Sequence, residues 1–172
     1  MREVVIDTKF ANVTLDVFAE IYFSEEVNNQ AAAILKLKER TLVEQTNNAD
    51  GTVTRRVKMA PAVEIPSAVH KLIGGAPIEY FEVSTYDPTT HTSKYVVESA
   101  ADDVLQVRGV ISFIADGDGV RRRIDGTVDA KVFGLGGIIE KLIDKEVNKS
   151  YAKVAEVIQA AIDQRNSVSH MR

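Results

Sequence analysis

Apolar residues recur at helical spacing over one long stretch near the end of the chain, Gly136 to Gln164. Ile138, Ile139, Leu142, Ile143, Val147, Tyr151, Val154, Ile158, Ala161 and Ile162 step by threes and fours, the spacing of a single apolar stripe on a helix. Lys141, Asp144, Lys145, Lys149, Lys153, Glu156 and Gln159 fill the opposite face. A helix of about 28 residues is on the order of 42 Å long, enough to cross a domain of this size end to end. The preceding chain must therefore supply a long apolar surface to receive it.

Upstream the period changes. Glu3 to Phe10 alternates, with Val4, Ile6, Thr8 and Phe10 on one face, and predicts a half-buried strand. Thr14 suits an N-cap for a helix carrying Leu15, Phe18, Ala19 and Tyr22, which ends near Phe23-Ser24. A second short helix is expected from Ser24 through Ala31 to Ala33. Leu35 to Thr46 returns to period two, with Leu35, Leu37, Glu39, Thr41 and Val43 on one face. Asn47 to Gly51 has the chemistry of a hairpin turn, since Asp-Gly supplies a positive φ at low cost. Thr52 to Met59 follows with Val53, Arg55, Val57 and Met59 together. Pro61 breaks the sheet pattern. Ile65 to Gly75 is expected to be a connecting segment with a helical turn or two, begun by Pro66 and stopped by Gly74, with Val69, Leu72 and Ile73 as covering residues. Strands are expected at Ile78 to Tyr86, Thr92 to Ser99, Val104 to Ala115 and Val120 to Phe133, separated by turns at Asp87-Pro88, Asp102-Asp103 and Asp116 to Gly119. The order is strand, helix pair, six hairpin-linked strands, long helix. Residues 1–166 are expected to form one domain, an α+β fold with a seven-stranded antiparallel sheet, and residues 167–172 a disordered tail.

Composition narrows the possible functions. A chain of 172 residues with 45% hydrophobic and 27% charged content suits one globular domain. The net charge of -4 argues against a nucleic-acid partner, and Arg121-Arg122-Arg123 is too short a basic run to reverse that. With no cysteine, neither a disulfide nor thiol chemistry is available, which fits a cytoplasmic location. No membrane span and no signal peptide are expected, with transient membrane contact left open. No motif asks for a metal or cofactor. The three histidines, His70, His91 and His170, are too scattered for a metal site. Asp116-Gly-Asp-Gly lacks the spaced ligands of a calcium loop, and no Lys-Ser or Lys-Thr follows Gly134-Leu135-Gly136-Gly137, which excludes a P-loop and leaves a strand-to-helix turn.

The layout resembles the helix-grip superfamily, which includes START lipid-transfer domains, the birch-pollen allergen type and polyketide cyclases. The likeness runs from Glu3 to about Gln164. It rests on element order, on the Val17-Phe18 helix after the first strand, on the Gly134-Leu135-Gly136-Gly137 turn, and on Ile139-Glu140 opening the last helix. The chain is also similar to an uncharacterised bacterial branch of that superfamily. The resemblance implies a strongly curved sheet gripping the last helix with an apolar cavity between them.

On that footing the preferred function is binding or carrying a hydrophobic small molecule: a lipid, a quinone or a polyketide-like compound. The expected lining is Phe81, Val83, Val107, Ile111, Phe113, Ile139, Ile143, Val147 and Tyr151, trimmed by Tyr95 and Arg122. Arg122 stands on the otherwise apolar face of its strand between Val120 and Ile124, where a charge needs a partner. It is either an anchor for a ligand anion, or a residue displaced by a bulge after Gly119 or by a strand end outside the cover. Tyr22, Tyr80, Tyr95 and Tyr151 are further candidates for cavity hydroxyls. One alternative is a cyclase or dehydratase using His70, Tyr95 or Tyr151 for proton transfer. Another is a protein-interaction module with a filled core and an apolar patch from Val63 to Leu72. No catalytic constellation is present, and the oligomeric state is open.

Overall fold

The computed structural model describes residues 1–62, 67–72, 75 and 77–171. The elements run β1 (Arg2–Phe10), α1 (Leu15–Phe23), α2 (Glu25–Ile34), β2 (Glu39–Asn47), β3 (Val53–Ala60), α3 (Ser67–Leu72), β4 (Tyr80–Asp87), β5 (Thr92–Ser99), β6 (Leu105–Asp116), β7 (Gly119–Ala130) and α4 (Gly136–Ser169). The strands form one antiparallel sheet in the order β1-β7-β6-β5-β4-β3-β2. Residues 63–66, 73, 74 and 76 lie outside the described residues, as do the side chains of Ala68, Val69 and Leu72. The expectations for Pro66, Gly74 and the Val63 to Leu72 patch fall largely there.

Local sequence explains the start of the fold. The Thr14 hydroxyl accepts from Val17 N at 3.5 Å and opens α1. Ser24 then serves two helices: its hydroxyl donates to the Ile21 carbonyl at 2.9 Å, closing α1, and accepts from Val27 N at 3.3 Å, opening α2. The strand expected from Leu35 begins four residues later. Leu35 caps α2, Lys36 takes a φ of 54°, and a register shift between Leu42 and Glu44 turns Val43 out to solvent, 54% exposed. The inward residues of β2 are Arg40 and Leu42, which face Met59 and Val57 of β3.

Helix α4 runs to Ser169, beyond the expected end at Gln164. Ser167 to Ser169 are helical rather than a frayed tail, because no breaker interrupts the helix and the Ser167 and Ser169 hydroxyls donate to the carbonyls of Asp163 and Arg165 at 3.0 and 3.1 Å. At its C-terminal end α4 buries Val157, Ile158 and Ile162 against Phe10, Phe18, Phe113, Val120 and Ile124. Burying each of these side chains stabilises the fold by about 1.5–3 kcal/mol. At its N-terminal end Ile139 and Glu140 are buried, whereas Ile138, counted on the apolar stripe, is 59% exposed. Close backbone contacts of α4 are with β1, β7, α1 and α2. Among the described residues no helix backbone lies close along β3, β4 or β5; α1 reaches β3 and β4 through the Phe23 side chain.

Polar contacts tie α4 along the whole of β1. Glu140 accepts from Ala130 N at 3.0 Å and pairs with the Met1 amine at 2.8 Å; Asp144 pairs with Arg2 at 2.7 Å. Toward the other end, the Gln159 side chain accepts from Ala11 N at 3.0 Å, and Asn166 donates to the Asn12 carbonyl at 2.9 Å.

The sheet accommodates a large side chain on its inner face by omitting two others. Gly109 of β6 and Gly126 of β7 are register partners, and Tyr95 of β5 pairs with Gly109. A Cβ on Gly126 would come within 2.7 Å of the Tyr95 hydroxyl. A Cβ on Gly109 would meet the Asp125 carbonyl oxygen at 2.6 Å, the Tyr95 hydroxyl at 2.7 Å and Gly126 Cα at 2.8 Å. Tyr95 therefore lies across two glycines. Gly126→Ala is expected to cost about 1–3 kcal/mol through overpacking. Tyr95→Phe, which removes the hydroxyl that the new methyl meets, should recover part of that loss in the double variant. Gly109→Ala, which also meets backbone atoms at 2.6 and 2.8 Å, should be rescued less. Urea denaturation of the single and double variants measures both expectations.

Candidate functional site

Strand register fixes what faces α4. On β7 the inward residues are Val120, Arg122, Ile124, Val128 and Ala130; on β6 they are Leu105, Val107, Ile111 and Phe113; on β5, Ser93, Tyr95 and Val97; on β4, Tyr80, Glu82, Ser84 and Tyr86. Phe81 and Val83 accordingly lie on the convex face and do not line the interior. The Arg56 guanidinium lies 4.1 Å from the centre of the Phe81 ring and covers it from outside, and Val83 pairs with Val96, itself exposed. Choosing the apolar set of β4 as the inner face inverted the strand, because the true inner row carries a carboxyl, a serine hydroxyl and two phenols.

Inward residues near β1 and β7 are sealed, whereas those further round the sheet are not. Tyr80, Glu82, Ser84, Tyr86, Tyr95, Val97, Leu105 and Val107 are only half-buried although they face the concave side. The middle of α4 behaves the same way: Ile143, Val147, Tyr151 and Val154 are half-buried between the closed ends of the helix. Partly accessible inward side chains of β4 to β6, α1 and the middle of α4 thus border one region on the concave side, the chamber. Two broad, open grooves also occur on the outside, one around Lys94, Arg108 and Asp125, the other between α1, α2 and the end of α4. Neither gathers unpaired buried polar groups, so the chamber is the candidate site.

An aromatic wall closes one side of it. Ring centroids are 4.8 Å apart for Phe10–Phe18, 4.9 Å for Phe18–Phe113, 5.0 Å for Tyr22–Phe113 and 4.7 Å for Phe23–Tyr86. Ile111 and Phe113 belong to this buried floor rather than to the open part, and Ile139 seals the near end.

Arg122 lies behind the wall with 0% exposure. The pairing of β6 with β7 is unbroken from Asp116↔Gly119 onward, so neither a bulge nor an uncovered strand end accounts for its orientation. Its Nη2 donates to Thr8 Oγ1 at 3.3 Å, while Nε and Nη1 have no partner. The guanidinium lies 4.9 Å from the centre of the Tyr151 ring and 5.4 Å from that of Phe10, and these two aromatic faces replace part of its lost hydration. Tyr151 therefore stands between Arg122 and the open chamber.

The chamber's charge balance is set by Arg122 and by Glu82, three strands away on β4. Burial pushes the Tyr22 phenol up to about 12, opposed by Arg122 and reinforced by Glu82. Tyr95 is pushed up to about 12, by burial first and then by Glu82. Burial holds Tyr151 well above the ordinary phenol range, with Arg122 pulling weakly the other way, and Tyr80 is raised by burial and Glu82. These hydroxyls stay protonated at neutral pH and serve as hydrogen-bond donors, not bases. Glu82 itself is raised above the ordinary carboxyl range by burial, against a smaller opposing pull from Arg40.

Two of the three histidines stand apart from this chemistry. His70 is exposed on α3. His91, expected in solvent, is half-buried at a turn with a φ of 53°, and its Nδ1 lies 3.1 Å from the Tyr86 hydroxyl. His170 is exposed, with Nδ1 2.7 Å from the Asn166 carbonyl. Among the described residues no three His, Cys, Asp or Glu side chains converge as a metal site, and no helix is long and apolar enough to cross a membrane. Glu82 was absent from the sequence-based site. The signal that finds it is the pairing Tyr95↔Ser84, which fixes the face of its neighbours, and no single-strand pattern contains that.

This architecture, a curved antiparallel sheet closed by a long terminal helix, is the helix-grip fold. The chain belongs to the family described as "Protein of unknown function (DUF2505)", which matches residues 8–162. No curated protein matches the sequence. Among solved structures, a protein from Thermus thermophilus superposes with a TM-score of 0.69 at 14% identity, covering 95% of this chain and 99% of that one. The Zhui aromatase/cyclase from a Streptomyces species gives 0.67 at 11% identity, covering 95% and 94%. A START superfamily protein from Mycobacterium smegmatis gives 0.60 at 13% identity, covering 94% and 97%. At these identities the likeness is one of fold.

The direction of the Glu82 shift has a consequence for stability. A carboxyl whose folded pKa is raised favours the folded state when protonated. Its contribution is complete below the unfolded glutamate value of about 4.3 and is lost as pH rises through the raised folded value. Glu82→Gln keeps the shape but cannot ionise. Its stability advantage over the parent protein should therefore be larger at about pH 8 than at about pH 5, as read from urea denaturation of both proteins at each pH.

Proposed function

We propose that the protein binds a hydrophobic small molecule in the chamber between the middle of α4 and strands β3 to β6. The observation that carries this reading is the contrast in burial along α4. Residues at both ends of the helix are sealed, while Ile143, Val147, Tyr151 and Val154, which face the sheet, remain accessible. Accessible apolar side chains on an inner face favour a guest that removes them from water, at about 25 cal/mol per Å² covered. Val107 and Tyr95 supply the opposite wall, and the tyrosine hydroxyls supply directed polar contacts. The names of two fold neighbours, an aromatase/cyclase and a START superfamily protein, agree with a hollow interior without choosing a guest.

A second reading, a cyclase-like or dehydratase-like enzyme, draws on one specific observation. Tyr22 and Tyr151 are phenols under the field of a buried guanidinium, a suitable arrangement for donating hydrogen bonds to a developing oxyanion. With their phenols held high, Tyr95 and Tyr151 would act as donors, and a base would have to come from elsewhere. Binding without turnover requires less of these residues and is the preferred reading.

Uptake of a neutral apolar fluorophore by the purified protein tests the proposal. Enlarging one wall with Val107→Phe should reduce that uptake at least about fivefold while leaving the cooperative unfolding transition in place. Uptake equal to the parent protein's, or none by the parent, rejects the chamber as the binding site.

A further inference from the structure

Glu82 is the one charged group whose field reaches four of the five inward phenols, Tyr22 of α1, Tyr80 of β4, Tyr95 of β5 and Tyr151 of α4; the fifth, Tyr86, lies beyond it. It projects from the concave face between its register partners Val57 and Val97. Among the described residues it makes no hydrogen bond and no ion pair, and the cations on the neighbouring strands are turned elsewhere. Arg40 is committed to Glu25 at 2.8 and 3.2 Å. Arg55 donates to the Phe23 carbonyl at 2.7 Å and lies 4.8 Å from the centre of the Phe23 ring. Arg122 is three strands away behind Tyr151. A carboxyl among apolar and phenolic side chains, with every nearby cation engaged elsewhere, is the complement of a positively charged donor. Electron-rich rings around a carboxylate add to that preference, since the faces of tyrosine rings attract a cation.

We infer that the guest carries a protonated amine on its apolar body, and that Glu82 is the residue that recognises it. The inference rests on the chamber reading above and narrows it to hydrophobic amines. The ammonium group enters at β4, forms a charge-assisted hydrogen bond to the Glu82 carboxylate, and relieves the cost of keeping that group among apolar neighbours. The apolar body lies along Val107, Ile143 and Val147, and its far end meets the Tyr22 and Tyr151 hydroxyls under the field of Arg122. That end is suited to a hydrogen-bond acceptor, and a second positive charge there is disfavoured.

Three probes with one apolar body separate these possibilities: naphthylethylamine, ethylnaphthalene and naphthylpropionate. The chain contains no tryptophan, so naphthalene emission can be followed with little protein background. The amine should bind about tenfold more tightly than the hydrocarbon, the size of one charge-assisted hydrogen bond, and the carboxylate more weakly than either. In Glu82→Gln the ratio of amine to hydrocarbon affinity should fall toward one, and Glu82→Asp, which keeps the charge, should restore part of it. A ratio near one in the parent protein, or the same ratio in parent and Glu82→Gln, overturns the role of Glu82 while leaving the chamber standing. Failure of all three probes to bind overturns the chamber reading and this inference with it.

Discussion

The structure depends on how α4 is supported. The helix is about 51 Å long at 1.5 Å per residue, yet it is gripped chiefly near its two ends. Val157, Ile158 and Ile162 seal the C-terminal half against β1, β7 and α1, and Ile139 with Glu140 seals the start. The polar pairs to β1, from Arg2–Asp144 to Ala11–Gln159, hold the helix parallel to one edge of the sheet. Exposed pairs of this kind contribute little energy individually, about 0–1 kcal/mol, so their effect lies in alignment more than in strength. With the helix held along β1 and β7, strands β3 to β5 lie on the far side of the curved sheet, away from the α4 backbone. The two glycines under Tyr95 serve the same geometry, because they let a phenol lie flat on the inner surface instead of standing up into the space.

A polar interior normally opposes stability. Removing a guanidinium from water without full pairing costs several kcal/mol, and Arg122 has two nitrogens without partners. The structure offsets part of this with the Thr8 hydroxyl and the faces of Phe10 and Tyr151, and leaves the rest. Glu82 presents the opposite case. It is close enough to Arg40 to feel its field, but Arg40 is turned to Glu25 instead. A fold selected only for stability would have joined these groups or replaced them with apolar side chains. A guanidinium and a carboxyl, each short of partners, thus stand three strands apart on the inner face of the sheet.

Element order was legible because periodicity and turn chemistry are local. The Thr14 and Ser24 caps, the hairpin at Gly117 and the Gly134 turn into α4 follow from residues close in sequence. The inward charge at Arg122 was also legible, since one strand's alternation is enough to reveal it. What was not legible depends on partners. On β4, the sequence Tyr80-Phe81-Glu82-Val83 offers one plainly apolar face, and the rule that apolar residues go inside selects it, Phe81 and Val83. Register with β5 reverses that choice, because Tyr95 pairs with Ser84 and Val97 with Glu82. The rule fails here because the inner surface at β4 faces a chamber rather than packed side chains, and the outer Phe81 is covered by Arg56. Similarly, nothing in the α4 stripe distinguished the sealed Ile158 from the accessible Val147, since that difference lies in what stands across from each.

The same contrast bears on whether such a chamber binds or catalyses. Acid–base catalysis at neutral pH needs one group able to give up a proton and another able to take it. The phenols here are held protonated by burial, and the exposed His70 lies outside the phenol cluster. Besides His91 at the Tyr86 hydroxyl, Glu82 is a proton acceptor on the inner face, and burial makes it a better base than an ordinary surface carboxylate once ionised. A protonated amine bound to it would occupy that lone pair and silence it. An amine guest and Glu82-mediated proton abstraction would therefore exclude each other at this residue.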